Sequence, residues 1–378
     1  MAALAAGWLL LSWAVATYYD HNPLKLWWLL PIFALAALSF GFTVVNRQIG
    51  PWLTAVSAVI GAVAEQVWRT PTIESDSVDY VHGAFRILSL GTNPYLVPIA
   101  ETIPPGALYV YPPGTFLVYG PFFALGSDGI VVARIAAVII VLTLAVVGLR
   151  IGPGRAALAA ATYGVFSYGA FRVIDGSTDT VMAMLLVVGV GLLTYPGPRA
   201  HWASAVVLGL AIAYKQPVWP AYLLLAYFLW RTQHRRHIAV SLGLAVATIV
   251  TFLIAAPGPF VNSVLITALT SSNHLNAYGL NLPVMLATLF PALPVLSVSL
   301  PLTLIGLGGS VAFFFLHPAK DLRTALLQGV TVTFIGFVLA AWTSPSYYMY
   351  LAAPLCLLIA LYEPSGAART NVLATDSP

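Results

Sequence analysis

A chain of 378 residues with 60% hydrophobic and only 7% charged residues, a net charge of +4 and a mean hydropathy of +0.90 is not a water-soluble globule, since soluble domains carry about 25% charged residues. In so apolar a chain the basic excess orients membrane spans, and no basic patch interleaved with exposed aromatics points to nucleic acid. The lone Cys356 excludes disulfides and thiolate metal sites, and no P-loop, GxGxxG or HExxH pattern is present.

The first 16 residues are apolar and end Ala14-Val15-Ala16, but they lack the basic region of a signal peptide. They read as a first span over 3–18, followed by spans at 26–45 and 50–67. From Trp68 to Pro113 the chain turns polar, proline-rich and acidic. Within this loop the spacing predicts an amphipathic helix from Val78 to Leu90, with Tyr80, Ala84, Ile87 and Leu88 on one face and Asp79, His82 and Arg86 on another. Ser75 or Asp76 is placed to cap its start, and Gly91 to end it. Such a helix lies in the interface plane with its first turn and Asp76 toward the membrane. Apolar runs resume at 115–125 (short), 129–149, 156–170, 180–195, 202–230, 238–256, 294–316, 324–342 and 346–362.

The segment 202–230 carries basic residues at both ends and Lys215-Gln216-Pro217 in its middle. A continuous span would bury Lys215 near the bilayer centre, at about 2.5–3.5 kcal/mol or more. Two short helices meeting at Lys215-Gln216-Pro217 avoid this, since Pro217 and Pro220 break a helix. Irregular backbone at that depth must line a polar cavity, so Lys215 is expected in a cavity open to the outer side. Placing Arg150 with Arg155, Arg199, Arg231 with Arg235 and Arg236, and Lys320 with Arg323 in the cytoplasm orients the chain. The acidic loop, Arg172 to Asp179, Pro257 to Leu282 and Trp342 to Tyr347 then lie outside, and 115–125 is a half-inserted helix. The fold class is an all-α polytopic membrane protein, a bundle of about 11–13 transmembrane helices. The absence of Asn-x-Ser/Thr sequons and retention signals fits a prokaryotic plasma membrane.

Asp76, four residues before Tyr80, then Gly91-Thr92-Asn93-Pro94-Tyr95, Tyr111-Pro112-Pro113 and Ala213-Tyr214-Lys215-Gln216-Pro217 together resemble the membrane glycosyltransferases of fold C. They are most similar to the polyprenol-phosphate-mannose-dependent alpha-mannosyltransferases, which include the phosphatidylinositol mannoside enzymes. The resemblance runs from about residue 50 to 362, leaving 1–49 as an extra transmembrane hairpin and 363–378 as a cytoplasmic tail. It implies an inverting transfer of a sugar, mannose by default, from a polyprenyl monophosphate in the membrane to a hydroxyl of a lipid or glycan acceptor. By position Asp76 is the general base, with Asp79 as the alternative. Lys215 and Gln216 fall at the phosphate-facing hairpin, and Arg172 and His274 are further candidates for the donor phosphate. Tyr80, His82, Arg86 and Tyr111 are assigned to the acceptor or to support of the loop. Cations suffice for a monophosphate leaving group, so no metal or other cofactor is expected.

Each of these residues also has a plainer reading. Asp76 serves equally as an N-cap, Lys215 as a snorkelling lysine, Tyr111-Pro112-Pro113 as a rigid turn, and Arg172, Asp175 and Asp179 as a charge cluster that only marks topology. The competing function is a transporter or lipid-linked-sugar flippase, which a broken helix bearing a lysine also suits.

Overall fold

The computed structural model describes residues 38, 41, 45, 46, 48–68, 76–100, 106–127, 129–171, 177–267, 281–292, 295–340 and 345–362. The described residues are helical, with one isolated antiparallel bridge between Ile99 and Ala107. The expected first two spans and the C-terminal tail lie almost wholly outside them, as do Arg172 and His274.

In chain order the helices are α1 (Gly50–Trp68), α2 (Asp76–Ser89), α3 (Gly114–Ala124), α4 (Ile130–Leu149), α5 (Pro153–Phe171), α6 (Thr178–Leu193), α7 (Pro198–Tyr214), α8 (Val218–Arg231) and α9 (Arg235–Ala255). There follow a single turn α10 (Pro257–Val261), a π-helical turn over Asn262–Thr267, α11 (Leu282–Leu289), α12 (Val295–Leu316), α13 (Leu322–Leu339) and α14 (Pro345–Ala360). From residue 50 on, the apolar runs become helices close to their expected bounds, with 202–230 divided in two. Within the expected outer segment Pro257 to Leu282 a short helix and a π turn form, and α11 follows where no apolar run was expected.

Among the described residues, four stretches are long and apolar enough to cross a bilayer: α4, α9, Ser299–Leu316 of α12, and α13. Ile254, Ile305 and Leu316 are each more than 70% exposed, a cover that lipid supplies and water does not. The chain is a polytopic helical membrane protein. Its interior is built on small side chains: Ala55, Ala58 and Ala62 of α1 meet α5, where Ala156, Ala157, Ala159, Ala160 and Ala161 are buried. Lipid gives helices no hydrophobic reason to associate, so close backbone approach supplies the attraction. Ser204 of α7 donates to the Gly189 carbonyl of α6 at 2.6 Å and closes another such seam.

The segment 198–231 is a hairpin of two helices, as its prolines predicted. The His201 ring at the start of α7 stacks on His234 beyond the end of α8, centroids 5.3 Å apart, so both ends of the pair lie together. With 17 residues in α7 and 14 in α8, the arms measure about 25 and 21 Å at 1.5 Å per residue. Against a hydrocarbon core of about 30 Å, the tip at Lys215 approaches the far boundary of the bilayer, beyond the mid-depth it would occupy in a continuous span.

The basic ends gather opposite that tip. Arg150 donates to the Thr194 carbonyl and lies 4.5 Å over the Tyr195 ring. Arg155 and Arg323 both lie over the Tyr362 ring, at 4.5 and 4.6 Å. These contacts fasten the starts of α5 and α13 to the end of α14.

Helix α3, with 11 residues, is too short to cross, in line with a half-inserted element. It meets the hairpin at Gly114, where an added Cβ would lie 2.5 Å from the carbonyl carbon and oxygen of Ala213. Backbone cannot rotate away, so Gly114→Ala is expected to cost about 1–3 kcal/mol by overpacking. A lowered thermal midpoint in detergent checks this; an unchanged midpoint refutes the close approach.

Candidate active site

Three helix ends converge at the hairpin tip. The first is the start of α6, where Ser177 is the N-cap: its Oγ accepts from the Asp179 amide at 3.2 Å and donates to Asp179 Oδ2 at 3.0 Å. The second is the break between α7 and α8. Pro217 opens α8, and Lys215 at φ −157° and ψ 140° leaves the helix in an extended conformation that turns its side chain back into the bundle. Lys215 Nζ meets Asp179 Oδ1 at 2.5 Å and donates to Thr178 Oγ1 at 3.0 Å. Lys215 is 1% exposed and Asp179 3%.

The cavity open to the outer side that the sequence suggested around Lys215 is therefore corrected: the ammonium is enclosed. Its charge is met by a carboxylate, a hydroxyl and two aromatic faces, with Tyr111 at 4.6 Å and Tyr347 at 5.2 Å from Nζ to the ring centroid. An ammonium has three N–H donors. Two are committed, and the third lies among these rings.

The third helix end is the start of α2. The Thr178 amide donates to Ser77 Oγ at 3.2 Å, so α2 begins against the residue that binds Lys215. Asp76, the first residue of α2, is one position from that contact. The helix has the expected faces: Tyr80 and Ala84 are buried and Ile87 and Leu88 packed against the core, while Asp79, His82 and Arg86 are exposed. It ends at Gly91 with φ +76°, where the Gly91 and Thr92 amides reach back to Leu88 and Ile87. Its seat is fixed by Gly129, whose Cβ position falls 2.6 Å from Val78 and whose φ is +82°.

The tyrosine-rich chain between α2 and α3 forms the adjoining wall. Tyr95 OH donates to the Tyr111 carbonyl at 2.6 Å and Tyr80 OH to the Leu108 carbonyl at 3.1 Å, while Tyr109 and Thr115 share a hydroxyl–hydroxyl hydrogen bond. Burial pushes the Tyr95 and Tyr109 phenols well above their ordinary range, so both stay neutral. Tyr111, at the head of Tyr111-Pro112-Pro113, lays its ring against Lys215. His82 is exposed, its ring 4.7 Å from that of Phe123.

Gln216 has a different part from the expected one. Its Nε2 donates to the Val110 carbonyl at 2.9 Å and to the Val264 carbonyl at 2.8 Å, and with both amide hydrogens on protein oxygens none is left for a phosphate. It clamps the hairpin tip between the segment that carries Val110 and Tyr111 and the π turn, where i→i+5 pairing alters the helical register. The residues that sequence reasoning missed are Ser77, Thr178, Asp179 and Tyr347. For Asp179 a signal existed: a lysine in an apolar run demands a partner, and Asp179 opens a neighbouring run.

No protein-family model matches the chain, and no curated protein matches it. Among solved structures, a crystal structure of ArnT from Cupriavidus metallidurans bound to undecaprenyl phosphate superposes with a TM-score of 0.48 at 14% sequence identity. The match covers 82% of this chain and 59% of that one, so the chain spans well under two thirds of the length of its neighbour.

Proposed function

We propose that this chain is an inverting membrane glycosyltransferase of fold C that moves a sugar from a polyprenyl monophosphate to a hydroxyl of a lipid or glycan acceptor. Mannose is the sugar suggested by the motif resemblance, and the extracytoplasmic face is the side suggested by the basic clusters opposite the site. The observation that carries the reading is the chain of contacts from Ser77 through Thr178 to Lys215. It brings the start of the acidic amphipathic helix against the residue that holds Lys215, which supports a reading in which a base on α2 and this cation serve one site.

In this reading the Asp76 carboxylate takes the proton of the acceptor hydroxyl as its oxygen bonds to the anomeric carbon from the face opposite the phosphate. The bond between that carbon and the phosphate oxygen breaks, and its electron pair leaves with the lipid phosphate, whose second negative charge Lys215 meets. Tyr80 and Tyr111 shape the acceptor side, and Gln216 holds the tip. Arg172 and His274 remain proposals for further phosphate contacts. The reaction calls on no metal.

The buried Lys215–Asp179 pair also suits a second reading, a transporter or flippase, because charges paired at a broken helix are common at substrate and proton sites in transporters. One experiment separates the two. Purified protein is reconstituted with radiolabelled polyprenyl-phosphate-mannose and a membrane-lipid extract, and product formation and movement of label across the bilayer are followed together. Label appearing in new glycolipid, with or without EDTA, is the expected result. Movement of intact donor with no new product, across several sugars, overturns the transferase reading.

A further inference from the structure

A lysine that serves a phosphate must have a free charge, and Lys215 is already paired with Asp179. If phosphate took the ammonium, the Asp179 carboxylate would be stranded in the interior, at a severe energetic cost. What surrounds Asp179 bears on this. Ser177 Oγ holds Oδ2, leaving Oδ1 as the oxygen that would lose its partner. Tyr350 of α14 is 1% exposed, and its hydroxyl makes no hydrogen bond. Helix α14 packs against α6, whose first turn carries Asp179. Tyr350 stands one helical turn beyond Tyr347, whose ring covers Lys215, so α14 presents both side chains to the ion pair.

A buried hydroxyl without a partner is a cost that native structures rarely carry, and Tyr350 carries one. We infer that Tyr350 is a positioning residue that receives the Asp179 carboxylate when lipid phosphate draws Lys215 away. The inference rests on the transferase reading above. Before reaction the donor is a phosphodiester with one charge, and Lys215 stays with Asp179. As the bond between the anomeric carbon and the phosphate oxygen breaks, its electron pair gives the phosphate a second charge. Lys215 turns to the phosphate, and Tyr350 OH donates to the vacated Asp179 Oδ1. No proton leaves either residue, and the cation is spent on charge that exists only late in the reaction, where stabilisation raises the rate.

The test uses full-length protein in detergent and polyprenyl monophosphate without sugar, a probe that already carries the second charge. Wild type and Tyr350→Phe are compared by native mass spectrometry for affinity and by thermal unfolding without ligand. The expected result is lipid-phosphate binding weakened on the order of tenfold, the scale of a hydrogen bond to a charged group, with the ligand-free midpoint unchanged or raised because an unpartnered hydroxyl has gone. Equal affinity in both proteins overturns the hand-over and leaves the donor reading standing. A lowered ligand-free midpoint also overturns it, because Tyr350 is then a structural residue. Failure of the wild type to bind polyprenyl phosphate at all overturns the donor reading, and this inference with it.

Discussion

Lys215→Met is expected to lose about 3–5 kcal/mol of stability, because it leaves a buried carboxylate without its partner. The size of the effect follows from enclosure: Asp179 is 3% exposed, and Ser177 Oγ is its other hydrogen-bonding side chain. The companion variant is Lys215→Met with Asp179→Leu, which removes both charges and keeps the volume. It is expected to recover most of the loss, since an apolar pair often replaces a buried ion pair without penalty. Thermal unfolding in detergent measures both, and transfer activity should be absent from both. If the double variant is no more stable than the single one, the two charges are not coupled as their 2.5 Å contact implies. If the double variant is fully active, Lys215 has no part in the reaction.

Asp76→Asn is expected to lower transfer by about 10²–10⁴-fold, the range that a positioned general base contributes, while binding of polyprenyl phosphate persists. Asparagine keeps the shape and can still cap the helix, so a loss of rate separates catalysis from capping. Asp79 lies nearly one helical turn further along α2 and is exposed, and Asp79→Asn should cost far less. The reverse ranking, measured as initial rates of sugar transfer, moves the base to Asp79. Equal activity in both variants removes base catalysis from α2.

The helices were legible because apolar runs of membrane length admit few other structures, and because α2 writes its two faces at helical spacing. The break at Lys215 was legible for the same kind of reason, two prolines beside a charge that a continuous span would strand. The partner of Lys215 was not. Asp179 lies 36 residues away, next to Arg172 and Asp175, and a sequence offers no distance by which to choose between an outer-loop cluster and a buried pair. Gln216 was misread because a side-chain amide beside a lysine looks like an anion ligand until its two hydrogens are traced to Val110 and Val264. Tyr347 and Tyr350 were passed over because aromatics at the end of a span are ordinarily interfacial anchors. Packing of α14 against α5, α6 and α13 turns these two inward.

The hairpin formed by α7 and α8 also bears on how the chain enters the membrane. Both of its ends stay at the basic face, so the ammonium at its tip must be carried most of the way through the hydrocarbon, at a cost of about 2.5–3.5 kcal/mol or more if it travels unpaired. Chains are made from the N-terminus, and Asp179 precedes Lys215. The carboxylate is therefore already anchored at the head of α6 when the lysine emerges, and the later charge arrives at a counter-ion in place. Reversing the two residues would keep the finished ion pair and change the biogenesis, sending the carboxylate through on the hairpin tip to meet a lysine waiting at α6.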